Sequence, residues 1–265
     1  MTIKSIKAKE VRDSIGKPTL KVELVSSNGI FSALVPSGTS TGKYEALELR
    51  DKNGRVNQAI NNVNNIIAKK LIGKNPANQK EIDELMINLD GTKNKSKLGA
   101  NAIIGVSIAV CRAGAGESNL PLYSYLQKLS ENKKLTLPVP LVLLLEGGRH
   151  AKNSSDFQEF MIFSKAENFK ESFADCSQIY KIIGNILKSK KFQTNLGYEG
   201  AYCPNLRNNE RYFELVVNGI ETCYNLKEIS IAIDSAASEF YENGDYSLKM
   251  DKKTFNSEGL HDFYK

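Results

Sequence analysis

Three carboxylates in the second half of the chain lie at positions where the sequence pattern suits catalysis or metal binding. Glu159 begins one apolar run, Asp234 ends another, and Glu199 lies in a glycine-rich turn at 197–200. Carboxylates at the ends of strands are suited to Mg²⁺ binding or to general-acid work. A single acid in such a place is also commonly a solvated or hydrogen-bonded group, so the residues alone leave both interpretations open.

Two loops add further polar groups. Loop 36–42 is small and rich in hydroxyls, which suits phosphate or metal binding or a lid, with an ordinary surface loop as the alternative. The segment 147–150 follows an apolar run directly, and in α/β folds such positions face the ligand crevice. His150 there can contact a phosphate or serve as a structural loop histidine. His261, near the last residue, is expected to be solvent-exposed.

The first 134 residues indicate an α+β domain that would position loop 36–42. Apolar residues alternate with polar ones in two stretches within 20–35, and Asn28-Gly29 between them is a hairpin signal. Apolar positions then recur at helical spacing over 56–71 and 82–89, with Asn75-Pro76 as a predicted helix start. The composition of 99–115 predicts a helix buried on most sides. An antiparallel sheet covered by helices follows from these patterns.

The segment 135–145, which contains Pro138 and Pro140, is the best candidate for a domain boundary, giving domains 1–134 and 135–265. After it the pattern predicts a strand followed by a helix, repeated, as in an α/β barrel. Because a complete (β/α)8 barrel takes about 250 residues, the 128 residues after 137 predict an incomplete one. The predicted elements of this half are strands at 141–145, 160–163 and 229–233, helices at 169–187 and 213–224, a hairpin at Asn243-Gly244 and a helix from Ser257.

Composition excludes several classes of protein. Hydrophobic residues make up 41% and charged residues 25%, and no apolar run approaches the roughly 20 residues of a membrane span. We expect no membrane partner and, without an apolar leader, a cytoplasmic protein with reduced cysteines. The net charge of +6 is scattered. Since no aromatic residues interleave with basic ones, we expect no nucleic-acid partner.

Many separate segments, in order along all 265 residues, together resemble the enolase family. Those of the first half are Asp13-Ser14, Pro18-Thr19, 35–38, 40–42, 45–51, 90–92, 94–97, 99–103 and 105–107. Those of the second half are 137–140, 158–162, Asp234 and 236–240. The resemblance implies dehydration of 2-phosphoglycerate to phosphoenolpyruvate in glycolysis and gluconeogenesis, with Mg²⁺ as cofactor. It also implies an α+β domain followed by a TIM-like barrel, and a possible homodimer or enolase subunit.

The resemblance also implies roles for the catalytic and substrate-binding residues. Glu199 matches the carboxyl group that assists departure of the hydroxyl. Glu159, together with Gln158, matches its supporting partner. His150 matches the loop histidine near the substrate phosphate.

Two further residues match the family's Mg²⁺ ligands. Asp234 matches the first metal ligand of the barrel, and Ser40 matches the mobile-loop serine of the second, substrate-dependent Mg²⁺. The family's lysine base, two more acidic ligands and a second substrate lysine correspond to positions after Lys265. The expectation is therefore that this chain alone is inactive or needs the missing half of the barrel.

Differences from the family's pattern fall beside the site and are expected to alter it. They are Ile15, Glu146, Arg149, Lys152 and Tyr198. Such changes suit the alternative of a non-catalytic, enolase-like protein that binds a partner or another subunit. A different dehydratase of the same superfamily is a third interpretation.

Overall fold

The computed structural model describes residues 1–38, 41–130 and 134–265. The chain divides into two compact units, Met1–Leu135 and Thr136–Lys265. Across the described residues, no helix combines the length and the apolar character needed to cross a membrane.

The first unit is built on a three-stranded antiparallel sheet in the order β1 (Ile3–Arg12), β2 (Pro18–Ser26) and β3 (Gly29–Leu34). Alternate residues of β2 are buried, because successive side chains of a strand point to opposite faces. Helix α4 (Ala100–Glu117) packs against β2 and β3. The predicted antiparallel sheet and the predicted buried helix are therefore confirmed.

Shorter helices complete the first unit. Helix α1 (Asn57–Asn62) continues through a π-helical turn (Val63–Ile67) into α2 (Ala68–Leu71), and α3 (Gln79–Asp90) and α5 (Leu122–Ser130) lie on either side of α4 in the chain. The predicted start of α3 at Asn75-Pro76 is wrong. The Asn75 side chain accepts the Ala77 N–H at 3.0 Å and so closes a separate turn. The helix begins only after that turn, at Gln79.

The second unit contains a three-stranded sheet in the order β4 (Val142–Glu146), β5 (Glu159–Ser164) and β6 (Ile229–Asp234). The strand positions agree with the predicted ones. The predicted order, in which every strand is followed by a helix, is wrong. No helix separates β4 from β5, and both neighbouring pairs are antiparallel. Antiparallel strands need no crossover helix between them, so the 12-residue segment 147–158 suffices as the connection.

Two helices lie between β5 and β6 in the chain and cover one face of this sheet. Helix α6 (Phe169–Ser189) packs against β4 and β5, and α7 (Glu210–Glu221) packs against α6 and β5. Phe160 and Ile162 of β5 are completely buried against these helices. Glu159, the first residue of β5, lies on the opposite face of the sheet. The helices therefore fix the sheet from one side and leave the acidic residues on the opposite side.

The end of the second unit is a small antiparallel sheet of β7 (Tyr241–Glu242), β8 (Asp245–Leu248) and β9 (Lys253–Phe255), followed by α8 (Ser257–Tyr264). The predicted hairpin at Asn243-Gly244 is confirmed, since both residues have the positive φ of a tight two-residue turn. Helix α8 begins at Ser257 as predicted, with the Asn256 side chain accepting the Gly259 N–H.

Candidate functional site

Three carboxylates form a row across the sheet of the second unit. Glu146 at the end of β4 pairs with Glu159 at the start of β5, and Glu159 pairs with Asp234 at the end of β6. Residues directly opposite one another on neighbouring strands project their side chains to the same face. The strand register therefore gathers negative charge at one edge of this sheet.

The loop between β4 and β5 brings His150 to this row. The Gly147 N–H donates to the Gln158 carbonyl at 2.9 Å, and the Gly148 N–H donates to the Ser155 carbonyl at 2.8 Å. A Cβ atom at Gly147 would lie 2.5 Å from the carbonyl oxygens of Phe157 and Ser155, so only glycine allows this fold of the loop. The tight loop turns the His150 side chain inward, where it is only 3% exposed.

The His150 imidazole faces two of the acids without bonding to either. Its Nδ1 atom lies 3.7 Å from Glu159 Oε1 and 3.6 Å from Glu199 Oε1. These separations exceed hydrogen-bond length, and Nδ1 has no hydrogen-bond partner within the described part of the chain. Since a buried polar atom is normally satisfied, this geometry suits a bound group that the three side chains share.

The turn at 197–201 carries Glu199 to the same place. The Gly197 N–H donates to the Ala201 carbonyl at 3.0 Å, and the Tyr198 N–H donates to the His150 carbonyl at 3.4 Å. The Tyr180 hydroxyl of α6 donates to the Gly200 carbonyl at 2.8 Å. The Glu199 side chain is 46% exposed, so it borders the site from the solvent side.

The crowding of acids changes the proton affinity of Glu159. Burial raises the pKa of Glu159 above its ordinary value, and the carboxylates of Glu199 and Asp234 raise it further. His150 acts in the opposite direction more weakly. A carboxyl group with a raised pKa retains its proton more readily, which is the property required of a general acid or of its proton-holding partner.

Asp234 has the donor chemistry of a Mg²⁺ ligand. Its Oδ1 accepts the Ala236 N–H at 2.8 Å, while Oδ2 accepts, among the described residues, only from the Gln158 side-chain amide at 3.5 Å. The exposed carboxylate therefore retains free lone pairs, and oxygen is the ligand atom that Mg²⁺ prefers. Asp234 fits one position in the coordination shell of that ion.

His150, Glu159 and Glu199 form a second possible ligand group, since one donor atom from each lies within 4.8 Å of the others. The group includes a nitrogen donor, which Mg²⁺ uses less readily than oxygen. Its arrangement around a buried imidazole suits proton transfer better than Mg²⁺ coordination. The fit to Mg²⁺ therefore rests on Asp234.

The structure brings five of the six residues singled out in the sequence to one edge of the second unit. Gln158 is 4% exposed, its N–H donates to the Asp234 carbonyl at 3.1 Å, and its Oε1 has no hydrogen-bond partner among the described residues. Ser40, expected to bind a second Mg²⁺, lies outside the described residues. The five residues that come together are His150, Gln158, Glu159, Glu199 and Asp234.

Sequence reasoning treated Glu146 and Arg149 only as disturbances of the site, whereas both make supporting contacts. Glu146 is completely buried and accepts backbone N–H groups of the turn that carries Glu199. Arg149 Nε lies 2.6 Å from Glu239 Oε2. The position of Glu146 directly after the apolar run 141–145 was the same signal that singled out Asp234.

Asn209 was also missed, and it fixes the far end of the histidine loop. It is completely buried just before α7, and its amide donates to Asp156 and Asp251 at 2.8 Å. Its Oδ1 accepts the Ser155 hydroxyl at 2.8 Å. No pattern in the sequence distinguishes this asparagine from its neighbour Asn208.

The other three differences noted in the sequence lie on the surface. Tyr198 and Ile15 are 65% and 51% exposed, and Lys152 is exposed as well. Ile15 lies in the turn between β1 and β2 of the first unit.

Comparison with known proteins gives matches along almost the whole chain. The family model described as the enolase N-terminal domain matches residues 3–126, and that described as the enolase C-terminal TIM barrel domain matches residues 134–265. Enolase 1 of Entamoeba histolytica is 44% identical over 262 residues, and Enolase B of Dictyostelium discoideum is 47% identical over 269 residues. These alignments include 96% and 98% of the chain but only 60% and 61% of the two relatives. The chain thus spans about three-fifths of the length of the curated relatives that it matches.

Proposed function

The chain belongs to the enolase family, and we propose that it acts in the dehydration of 2-phosphoglycerate to phosphoenolpyruvate. The observation that carries this proposal is the convergence of His150, Glu159 and Glu199, with one donor atom from each within 4.8 Å of the others. Asp234 lies in the same row of carboxylates. The dehydration removes a proton from the carbon beside the substrate carboxylate and a hydroxyl from the next carbon. It therefore needs an acid to protonate the leaving hydroxyl and a cation to neutralise the charge that develops at the carboxylate.

Glu199 is the group that we assign to protonation of the departing hydroxyl. It is the most exposed acid of the group and therefore accessible to substrate, while Glu159 lies behind it with 18% of its side chain exposed. Burial and the neighbouring carboxylates raise the pKa of Glu159, which favours its protonated form beside Glu199. His150 Nδ1 and Gln158 Oε1 are buried polar atoms without a partner among the described residues. The imidazole nitrogen can donate to a substrate oxygen when it carries a proton, and the amide oxygen can accept from a substrate hydroxyl.

Asp234 is the residue that we assign to Mg²⁺. When bound, this ion would neutralise the negative charge that develops beside the substrate carboxylate. One carboxylate does not complete a coordination shell of six or more oxygens. Ser40, the other proposed ligand, lies outside the described residues. We propose, from the resemblance alone, that the remaining ligands and the lysine base correspond to positions after Lys265.

We therefore propose that turnover needs groups that this sequence does not contain. The test measures phosphoenolpyruvate formed from 2-phosphoglycerate and Mg²⁺, first by the 265-residue chain alone. The second sample adds a polypeptide that contains the last two-fifths of Enolase B, the part of that relative's length beyond the share matched here. Expected results are no turnover by the chain alone and turnover by the mixture.

The two contrary results have different meanings. Turnover by the chain alone would show that the absent lysine and acids are not needed. A mixture that associates, as seen by sedimentation, but forms no phosphoenolpyruvate would favour the non-catalytic alternative. Cytoplasmic location and dimerisation stay predictions from the family, and fractionation of cells and sedimentation of the purified chain would test them.

A further inference from the structure

We infer that Glu146 is a positioning residue, whose buried carboxylate holds the turn at 197–201 so that Glu199 faces His150. The inference deepens the proposed function, on which its catalytic meaning rests. Glu146 Oε1 accepts the Ala201 N–H at 2.9 Å, and Oε2 accepts the Glu199 N–H at 3.3 Å. The Glu146 side chain thus bonds to the backbone of Glu199, the residue that we assign to proton donation, and to the backbone of Ala201.

The burial of Glu146 makes these two bonds necessary. The residue has 0% exposure, and a buried charge is costly unless hydrogen bonds compensate it. In the described residues, the two backbone N–H groups of the turn are its hydrogen-bond donors. Glu146 and the turn therefore stabilise each other, because moving the turn away would leave the carboxylate without donors in the interior.

The close approach of Gly197 gives independent support for this contact. A Cβ atom there would lie 2.3 Å from the Glu146 carboxyl carbon and 2.6 Å from each of its oxygens. The backbone of the turn thus lies directly against the carboxyl group, and any larger residue at 197 would displace one from the other. The turn and the acid fit as a single unit.

A carboxylate is the side chain that this geometry requires. Both of its oxygens accept hydrogen bonds, so it can satisfy two N–H groups at once. A glutamine in the same place has one accepting oxygen, and its amide would point donors at the other N–H group. Replacing Glu146 by glutamine therefore frees one end of the turn with almost no change in volume.

The first test compares amide hydrogen exchange in the full chain and in Glu146→Gln. In the unaltered chain we expect the Glu199 and Ala201 amides to exchange slowly, although residues 198–200 of the turn are exposed. In the variant we expect at least one of them to exchange about tenfold faster or more, because a hydrogen bond to a charged group is lost. Glu228→Gln is the matched control, since its carboxylate accepts the Asn225 N–H at 3.0 Å in an exposed turn outside the site.

The second test reads the position of Glu199 itself. The chain has 2 histidines, so the imidazole nitrogen resonances of His150 can be assigned by removing His261. Glu199→Gln is expected to shift these resonances, and Glu146→Gln is expected to reproduce a large part of that shift, whereas Glu228→Gln is not. A role confined to general stability would leave the His150 resonances in place.

A second variant keeps the inference falsifiable if Glu146→Gln does not fold. Gly197→Ala separates the turn from the carboxylate while keeping its charge, and we expect it to speed exchange at Glu199 and Ala201. Fast exchange of these amides in the unaltered chain, or unchanged His150 resonances in a folded Glu146→Gln, would overturn the inference. Neither result depends on turnover, so failure of the proposed function would be seen separately.

Discussion

Removing the charge of Glu159 should stabilise the protein at alkaline pH. Burial and the neighbouring carboxylates raise its pKa, so the folded state favours the protonated form. Below the pKa of the unfolded chain, Glu159 is protonated in both states and costs nothing. As pH rises through the folded-state pKa, the carboxylate becomes charged among like charges and stability is lost. Glu159→Gln should therefore raise the free energy of unfolding above that pKa.

The part of the gain that comes from relief of repulsion follows from the distance between the acids, and relief of the burial cost adds to it. Oxygen atoms of Glu159 and Glu199 lie within 4.8 Å of one another. At that separation two charges repel by about 1 kcal/mol in water and by about 3.5 kcal/mol at an effective dielectric constant of 20. Because Glu199 is 46% exposed, solvent screening favours the lower value. We expect a gain of at least about 1 kcal/mol at about pH 8.

The assay is urea unfolding followed by circular dichroism at acidic and alkaline pH, with EDTA present so that no cation offsets the repulsion. The control is Glu242→Gln on the exposed strand β7, which should change stability by less than about 0.5 kcal/mol at either pH. A Glu159→Gln variant whose stability relative to the unaltered chain does not rise between the acidic and the alkaline measurement would refute the reasoning.

Three other substitutions test polar contacts within the second unit. Asn209→Ala should cost about 2–3 kcal/mol in thermal unfolding, because the buried Ser155 hydroxyl and the half-buried Asp156 carboxylate lose their partner. A loss below about 0.5 kcal/mol would contradict this. Arg149→Ala should change stability by less than about 1 kcal/mol but should speed proteolysis of loop 147–153, because the ion pair with Glu239 is lost. Unchanged cleavage would show that this ion pair does not stabilise the loop. Burial and a hydrogen bond to Asp175 raise the pKa of Tyr224 to about 12. Tyr224→Phe should therefore destabilise by about 1 kcal/mol at neutral pH, and the difference should fade from pH 10 to 12, which alkaline unfolding measures.

The strands and long helices follow from local patterns, and the structure confirms them. Leu20, Val22 and Leu24 alternate with polar residues because one face of β2 is buried, and that alternation is visible in the sequence. The connection between β4 and β5 was not predictable in this way. Whether a strand returns directly or through a helix depends on pairing between residues distant in sequence, such as Glu146 with Glu159.

The candidate site likewise contains residues that a local sequence pattern indicates and residues that it does not. Glu159, Glu199 and Asp234 were identifiable because acids beside apolar runs or in glycine-rich turns have a recognisable spacing. Glu146 was identified only as a difference from the family. Its function as an acceptor for the 197–201 turn depends on a contact between residues more than 50 positions apart. A local pattern carries no information on such a contact.

The central claim is that Glu199 donates the proton to the departing hydroxyl, and steady-state kinetics of Glu199→Gln test it most directly. The variant is combined with the polypeptide from Enolase B under the conditions in which the unaltered mixture forms phosphoenolpyruvate, with Glu228→Gln as control. We predict that kcat falls by about a hundredfold or more with little change in KM, since general-acid catalysis contributes about that much. A Glu199→Gln mixture with the kcat of the control would contradict the assignment.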